Sequence, residues 1–385
     1  MKKICFVTTS RADFGNINEL LKTTIKNKFF FVQLIVSGSH TSKVFGNTIK
    51  EIKNKKNCAI FKTKILCNNK NSKNVAISFA DSVKKISETL FKAKPDIFVV
   101  FGDRYEMLAA TVAAYILRIP IAHIAGGEKT VGSIDDGFRH SISKLSNLHF
   151  PVLEDYKNRL IQLGEDPKTI FNYGSLNLTK IKNNDYLTIN ELEEKIKFKF
   201  LKKNLVVTYH PETIDDKKTL KNLLILLNSL RLIKNTGIII TSPNADAQGV
   251  VMINQIKSFI EKNRLKNFLF KKSLGSRVYL SLLRVVDGAI GNSSSAISEV
   301  PFFGIGTVNI GDRQSGRIMA QSIINCPVLK KAIIKSVNKI LNKNFKKKIK
   351  NQLKIYGNGQ AAYKISKKLL TFNFEKHRKK VFFDI

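Results

Sequence analysis

Two stretches concentrate the polar chemistry of this 385-residue chain. The first, His123 to His149, reads HIAGGEKTVGSIDDGFRHSISKLSNLH and gathers Glu128, Asp135, Asp136, Arg139, His140 and Lys144 within a few turns. Carboxylates and imidazoles at this density suit proton transfer, worth ~10² to 10⁴-fold in rate when the group is well placed. On a helix beginning near Asp135, Asp135 and Arg139 are four apart, as are Asp136 and His140, so each pair shares a face. Acids at a helix start and a Ser133/Asp136 capping pattern explain single members, but not the whole set. The two consecutive glycines, Gly126 and Gly127, allow close approach of backbone to a ligand. The second stretch is Gly291-Asn292-Ser293-Ser294-Ser295-Ala296-Ile297-Ser298-Glu299. Its hydroxyls and the free amides of a helix start form an anion cradle, and Glu299 on the same helix suits ribose hydroxyls. Arg313 and Arg317 follow in GDRQSGR. Each contact of an anion with a helix terminus is worth about 0.3–1 kcal/mol, up to ~2 when partly buried, so several together suit a departing diphosphate.

Four shorter motifs each end an apolar run. Ser10-Arg11-Ala12-Asp13-Phe14-Gly15 places a cation beside a helix start, although taken alone it reads as an Asp13 cap with a solvated Arg11. Phe101-Gly102-Asp103-Arg104-Tyr105-Glu106 projects a carboxylate and a guanidinium from a tight turn, Thr208-Tyr209-His210-Pro211 ends a run on an imidazole, and Ser242-Pro243-Asn244 ends another. Neither a G-x-G-x-x-G nor a P-loop is present, so no dinucleotide or ATP fingerprint is supported.

The elements that must position these groups alternate regularly. Apolar runs at Ile4–Val7, Phe29–Val36, Ile97–Phe101 and Ile119–Ile124 read as strands, with helices near Ile17–Lys26, Val75–Ala93 and Glu106–Leu117. After a polar, Lys-rich stretch the rhythm restarts, with strands at Leu205–Thr208, Gly237–Thr241, Val285–Ile290 and Thr307–Ile310 and helices at Lys217–Leu232 and Val250–Lys262. Strands and helices in alternation predict α/β architecture, two Rossmann-like doubly wound domains with parallel sheets. The expected division is an N-terminal domain at 1–176 with the acids, a connecting region at 177–203, a nucleotide-binding domain at 204–350, and a helical 351–385 that packs back across the domains. In such sheets ligands sit beyond the carboxyl ends of the strands, which is where the motifs fall, and a cleft between domains is the expected place.

Composition narrows the classes further. Hydrophobic residues make up 43% and charged residues 25%, as in ordinary globular domains. The net charge of +37 would suit nucleic acid or an anionic membrane, but the Lys residues are spread along the chain and never form a basic stripe interleaved with aromatics. Neither partner is expected. Cys5, Cys58, Cys67 and Cys326 show no metal-ligand spacing, and the first apolar run is too short for a signal peptide, so a cytoplasmic protein with reduced thiols and no metal is the expectation.

In order and as a set, TSRADFG, FGDRYE, HIAGGE with DDGFRH, GNSSSAISE and GDRQSGR resemble the hydrolysing UDP-N-acetylglucosamine 2-epimerases of sialic and legionaminic acid synthesis. The resemblance covers most of the chain. It implies the GT-B arrangement, two Rossmann-like domains facing across a cleft, a nucleotide-sugar substrate, no cofactor, and a homo-oligomer, dimer or tetramer. Arg11, Arg104, Asn244, Ser293, Ser294, Glu299, Arg313 and His210 match nucleotide and diphosphate positions, with Arg139 expected among the binding groups. Asp103 and Asp135 match acids of the reaction centre, with Glu128 and His210 as partners in proton transfer. The chain departs from the pattern at Ala125, where members acting on UDP-N-acetylglucosamine often carry a carboxylate. That departure leaves open a different sugar, such as a 2,4-diacetamido-trideoxyhexose. A GT-B glycosyltransferase, a non-hydrolysing epimerase and a non-catalytic sugar-nucleotide sensor are the alternatives.

Overall fold

The computed structural model describes residues 1–41, 57–65, 72–130, 134–211, 216–243, 247–350 and 355–385, in two compact units. The first comprises Met1–Lys180 with Tyr356–Ile385, the second Ile181–Ile355.

In the first unit the chain runs β1 (Lys2–Thr8), α1 (Arg11–Lys26), β2 (Phe30–Val36), β3 (Cys58–Lys62), α2 (Ser72–Ala93), β4 (Ile97–Phe101), α3 (Tyr105–Ile116), β5 (Ile121–Ile124), α4 (Asp135–Leu145), β6 (Leu148–Phe150) and α5 (Glu154–Gln162). The strands pair in parallel in the order β3-β2-β1-β4-β5-β6. Alternation along β1 sends Ile4 and Phe6 to one face and Cys5 and Val7 to the other, and both faces are covered. Ile17, Leu20 and Leu21 of α1 pack on the first face, and Ile86 and Leu90 of α2 with the alanines of α3 pack on the second.

The second unit repeats the plan. After α6 (Leu176–Lys182), which leads out of the first unit, come α7 (Ile189–Ile196), β7 (Lys203–Thr208), α8 (Asp216–Leu230), β8 (Thr236–Thr241), α9 (Ala247–Lys262), β9 (Phe268–Lys271), α10 (Gly275–Leu283), β10 (Gly288–Gly291), α11 (Ser294–Ser298), β11 (Gly306–Ile310), β12 (Ile323–Cys326), α12 (Lys330–Ile340) and α13 (Lys343–Ile349). The sheet order β12-β11-β10-β7-β8-β9 is the first unit's order in the opposite listing. In both sheets the chain builds outward on one side of its first strand and then crosses to the other side. The reversal points are β1/β4 and β7/β10, where an open parallel sheet leaves a crevice for ligand.

Several elements differ from the reading of the sequence. The run at Val285–Ile290 is strand only from Gly288, because the amides of Val285 and Val286 bond back to Leu282 O at 2.9 and 3.0 Å and finish α10. Strands β3, β6, β9 and β12 were not expected; β6 has three residues and β12 carries Asn325 and few buried positions, so neither gives a clear apolar run. The polar stretch before Leu205 contains α7, started by a capping box between Thr188 and Glu191.

Residues 356–385 belong to the first unit. Their helix α14 (Ala361–Thr371) packs Ile365 and Leu369 into the core beside α1. Beyond it, Lys380 Nζ donates to Ser143 O (3.0 Å) and Ser146 O (2.5 Å) at the end of α4 and pairs with Glu165 at 2.5 Å. Ser143 O, which already accepts from Ser146 N at 3.0 Å, and the helix-end carbonyl of Ser146 thus both gain a cationic donor. Among the described residues no helix is long and apolar enough to cross a membrane.

Gly291 ends β10 at φ +131°, and a Cβ there would lie 1.9 Å from Thr208 O. Gly304 has φ +64° but open space around it. Urea denaturation of Gly291→Ala is expected to show a loss on the order of 3 kcal/mol or more, against about 1 kcal/mol for Gly304→Ala; equal losses would show that the β7/β10 contact is not what requires glycine.

Candidate active site

At the reversal point of the first sheet, three elements converge on one guanidinium. Asp103 follows β4 by way of Gly102, whose φ of +80° turns the chain sharply. Arg139, one turn into α4 and about 1% exposed, donates through Nη2 to the Asp103 carboxylate and to Thr130 Oγ1 (3.1 Å), and through Nη1 to Asp136 Oδ1 and Glu128 O, both at 3.0 Å. Asp136 also accepts from Thr130 N at 2.6 Å and lies 3.4 Å from His140 Nε2. A buried cation thus orders the Glu128–Thr130 loop and the Asp103 turn around itself.

His123 braces the same region from beneath. It is fully buried on β5, with Nε2 2.9 Å from Gly102 O and Nδ1 3.0 Å from Ser143 Oγ of α4. A carbonyl only accepts, so Nε2 carries the proton and Nδ1 accepts from the serine. Burial lowers the His123 pKa to about 3 and keeps the ring neutral. The two glycines gain a packing reason here. A Cβ on Gly126 would meet Ser143 Oγ at 2.7 Å, and one on Gly127, at φ +78°, would meet Tyr156 O at 2.3 Å. Ala125 just before them has φ +65°, a conformation uncommon for any residue with a side chain.

After β1, Ser10 is the residue that caps α1, accepting from Asp13 N at 3.2 Å; Asp13 itself accepts from Thr9 Oγ1 at 2.9 Å. Burial pushes the Asp13 carboxyl up, against the opposing pull of Arg104. Arg104, its side chain 41% exposed, forms a two-pronged bond to the buried Glu106 through Nε (3.1 Å) and Nη2 (2.8 Å).

The second unit is stitched at its own reversal point by Asn292. Its side chain bridges β10 to β7: Oδ1 accepts from His210 N at 2.6 Å, and Nδ2 donates to His210 O at 3.0 Å. Its carbonyl accepts from Arg313 Nη1 (3.0 Å) and Gln314 Nε2 (2.9 Å). Burial, then the Arg313 charge, lower the His210 pKa to about 4, so a neutral imidazole stands beside a guanidinium. Ser293 caps α11, its hydroxyl accepting from Ser295 N at 3.3 Å, and Ser294 follows, exposed. Glu299 closes that short helix, buried, with Oε2 2.7 Å from Ser295 Oγ. Hydroxyl, guanidinium and neutral imidazole at one strand edge suit an anion with a sugar attached.

The sequence matches the UDP-N-acetylglucosamine 2-epimerase family over residues 22–370. The chain belongs to that family. The epimerase is 41% identical over 345 residues to the GDP/UDP-N,N′-diacetylbacillosamine 2-epimerase (hydrolyzing) of Campylobacter jejuni, covering 90% of this chain and 89% of the relative. It is 32% identical to the UDP-N,N′-diacetylbacillosamine 2-epimerase (hydrolyzing) of Legionella pneumophila, covering 94% of each. Its fold matches the crystal structure of UDP-GlcNAc 2-epimerase from Neisseria meningitidis bound to UDP-GlcNAc, with a TM-score of 0.78 at 18% identity, over 96% of this chain and 99% of that one.

Of the residues singled out in the sequence, the epimerase brings Asp103, Glu128 and Arg139 together, with Asp135 half-buried in the first turn of the same helix as Arg139. His210, Ser293, Arg313 and Glu299 gather in the second unit, linked through Asn292 and Ser295. Asn244, Ser133 and the side chain of Arg11 lie outside the described residues. Arg139 was expected to contact substrate; its guanidinium is surrounded by protein acceptors, an arrangement suited to positioning. His123 and Asn292 have roles that sequence reasoning missed. The signal available was their place: each stands in or directly after a strand, beside the glycines of its motif.

Two predictions follow from these contacts. Arg139→Met removes the cation that its part-exposed carboxylates surround, so thermal or urea unfolding should show a loss of about 3 kcal/mol; a loss under 1 would mean the pair contributes little. The second concerns acid. The folded pKa values of His40 (about 4), His123 and His210 lie below the unfolded value near 6.5, so the stability they contribute is present above pH 6.5 and is lost on acidification toward pH 4. Stability should fall by up to about 1.4 kcal/mol per pH unit per histidine, and His123→Gln should flatten part of that slope. An unchanged slope would show that His123 titrates normally.

Proposed function

We propose that the epimerase is hydrolysing: it releases a nucleoside diphosphate from a nucleotide-linked 2-acetamido sugar and returns the free sugar inverted at its second carbon. The observation that carries this reading is the Asp103–Arg139 pair held rigidly at one strand edge, in a chain whose second unit offers groups suited to a diphosphate. The names of the Campylobacter and Legionella relatives support it. They also favour a 2,4-diacetamido-2,4,6-trideoxyhexose on uridine or guanosine diphosphate. Ala125 supports the same choice, since a methyl stands where members acting on UDP-N-acetylglucosamine often place a carboxylate.

The steps balance as an elimination followed by a hydration. The bond from the anomeric carbon to the diphosphate oxygen breaks, the second carbon gives its proton to a carboxylate, and a glycal remains. Water then supplies hydroxide to the anomeric carbon and a proton to the opposite face of the second carbon. A placed carboxylate contributes ~10² to 10⁴-fold, too little to remove a proton from an unactivated sugar carbon. Loss of the diphosphate therefore leads, and the charge that develops on it is the larger quantity to stabilise. Arg11, Arg104, Arg313, Asn244, Ser293, Ser294 and the neutral His210 are assigned to the nucleotide and its diphosphate. Glu299 is assigned to the ribose. Asp103 and Asp135 are assigned the proton transfers, with Glu128 assisting and His210 able to exchange a proton with the departing group. Arg139 acts through Asp103. A cytoplasmic homo-oligomer belongs to the same proposal, in keeping with the exposed Phe91 and Ile116 on α2 and α3.

The test is product analysis in deuterated water with UDP- and GDP-linked 2,4-diacetamido-trideoxyglucose and UDP-N-acetylglucosamine, without an acceptor. The expected outcome is free 2-epimeric sugar carrying one deuterium at the second carbon, fastest with a diacetamido substrate. A nucleotide-linked product would identify a non-hydrolysing enzyme, and no reaction until an acceptor is added would identify a glycosyltransferase. Asp103→Asn should lower kcat by ~10² to 10⁴-fold while nucleoside diphosphate affinity stays unchanged.

A further inference from the structure

Glu299 is not alone at the end of α11. Ser295, one turn earlier, lies with Oγ 2.7 Å from Glu299 Oε2 and 2.9 Å from the phenolic oxygen of Tyr279, which comes from α10. A serine hydroxyl has one proton and a carboxylate can only accept, so Ser295 donates to Glu299. Its remaining capacity toward Tyr279 is as an acceptor, and the phenol donates to it. The three groups form a directed chain from Tyr279 through Ser295 to Glu299, in which each bond polarises the next.

The frame around the chain is rigid. Glu299 N donates to Ser295 O at 2.8 Å, so backbone and side chain tie the same two residues together. Thr307 Oγ1 of β11 donates to Ala296 O at 2.9 Å and anchors the short helix to the sheet. Burial, reinforced by the Glu299 charge, raises the Tyr279 pKa and keeps the phenol a donor. No step of the reaction above uses Tyr279 or Ser295.

We propose that Tyr279 is a positioning residue which, through Ser295, fixes the plane of the Glu299 carboxylate for a ribose hydroxyl, and that this pair sets a preference for ribonucleotides over deoxyribonucleotides. The proposal rests on the reading that Glu299 meets the ribose. A carboxylate held at one oxygen by a short, charge-assisted bond presents a fixed acceptor direction. Without the relay, the carboxylate reorients and part of the ribose bond is lost, whereas a ligand lacking the hydroxyl never made that bond.

Calorimetric binding of UDP and GDP, beside their 2′-deoxy and 3′-deoxy counterparts, separates the possibilities. Wild type is expected to bind the ribonucleotide about tenfold more tightly than at least one deoxy form. Tyr279→Phe, close to isosteric, should weaken the ribonucleotide alone and bring the ratio to about twofold or less. Ser295→Ala should do the same, and the double variant should add nothing, because the two residues act in series. With the nucleotide sugar, KM should rise while kcat stays within about twofold. Full discrimination in Tyr279→Phe and Ser295→Ala, with discrimination lost in Glu299→Gln, overturns the relay and leaves the role of Glu299 standing. Equal binding of ribo and deoxy forms by the wild type overturns both.

Discussion

A guanidinium that is almost entirely buried must be surrounded by acceptors, and the constraint this places on Arg139 reaches through the first unit. Its acceptors come from the turn after β4, the loop after β5 and the first turn of α4. The turn after β4 and the loop after β5 lie outside the regular elements, so there the cation supplies the order that a sheet or helix would otherwise give. Desolvating such a charge is expensive, and replacing the whole cluster, acceptors included, by hydrophobic residues of similar volume would often serve stability as well. What a hydrophobic residue would not do is hold a carboxylate in a set orientation at the edge of a sheet. The arrangement trades stability for a defined position of Asp103.

The second unit meets the same need with a neutral group. Asn292 offers one acceptor and two donors, and it uses them to join the ends of β7 and β10 as an extra rung of backbone pairing would. Its own carbonyl then receives Arg313 and Gln314. A carboxylate at this position could accept from His210 N but could not donate to its carbonyl, and its charge would oppose a phosphate. An amide gives the stitching without that repulsion. The two units thus share a sheet order and differ in the charge of the side chain that fastens the reversal point, in keeping with the proposal that one transfers protons and the other binds the anion.

Most of the fold was legible because buried parallel strands are continuous apolar runs: Ile4–Val7, Ile97–Phe101 and Leu205–Thr208 stand out against polar flanks. The short strands β6 and β12 were not, since three or four residues with polar members carry no period. The candidate site divides in the same way. Asp103, Glu128, Asp135, Arg313 and Glu299 sit in short motifs whose neighbours announce them. Their partners are distant in sequence: Asp103 meets Arg139, 36 residues on, and His210 meets Asn292 across 82. Residue type at each end was visible and the pairing was not, because pairing is decided by strand order. For this reason Arg139 looked like a binding group, and His123 passed as one more ionisable residue.

Protonation completes the division of labour. The chain carries a net charge of +37 with its histidines neutral, and the buried ones are held neutral well below the usual range. Each has the geometry of a bonding element more than of a charge: His123 passes a donor to Gly102 O while accepting from Ser143, and His40 sits 3.0 Å from Thr8 Oγ1. A protonated His123 would have two donors and would lose the acceptor that Ser143 requires, so acid would break the brace under the Asp103 turn. Positive charge near the proposed anion site is therefore left to guanidiniums, which do not titrate in the working range. In the proposed reaction His40 and His123 hold geometry, and the attraction for a diphosphate is assigned to groups that keep their charge.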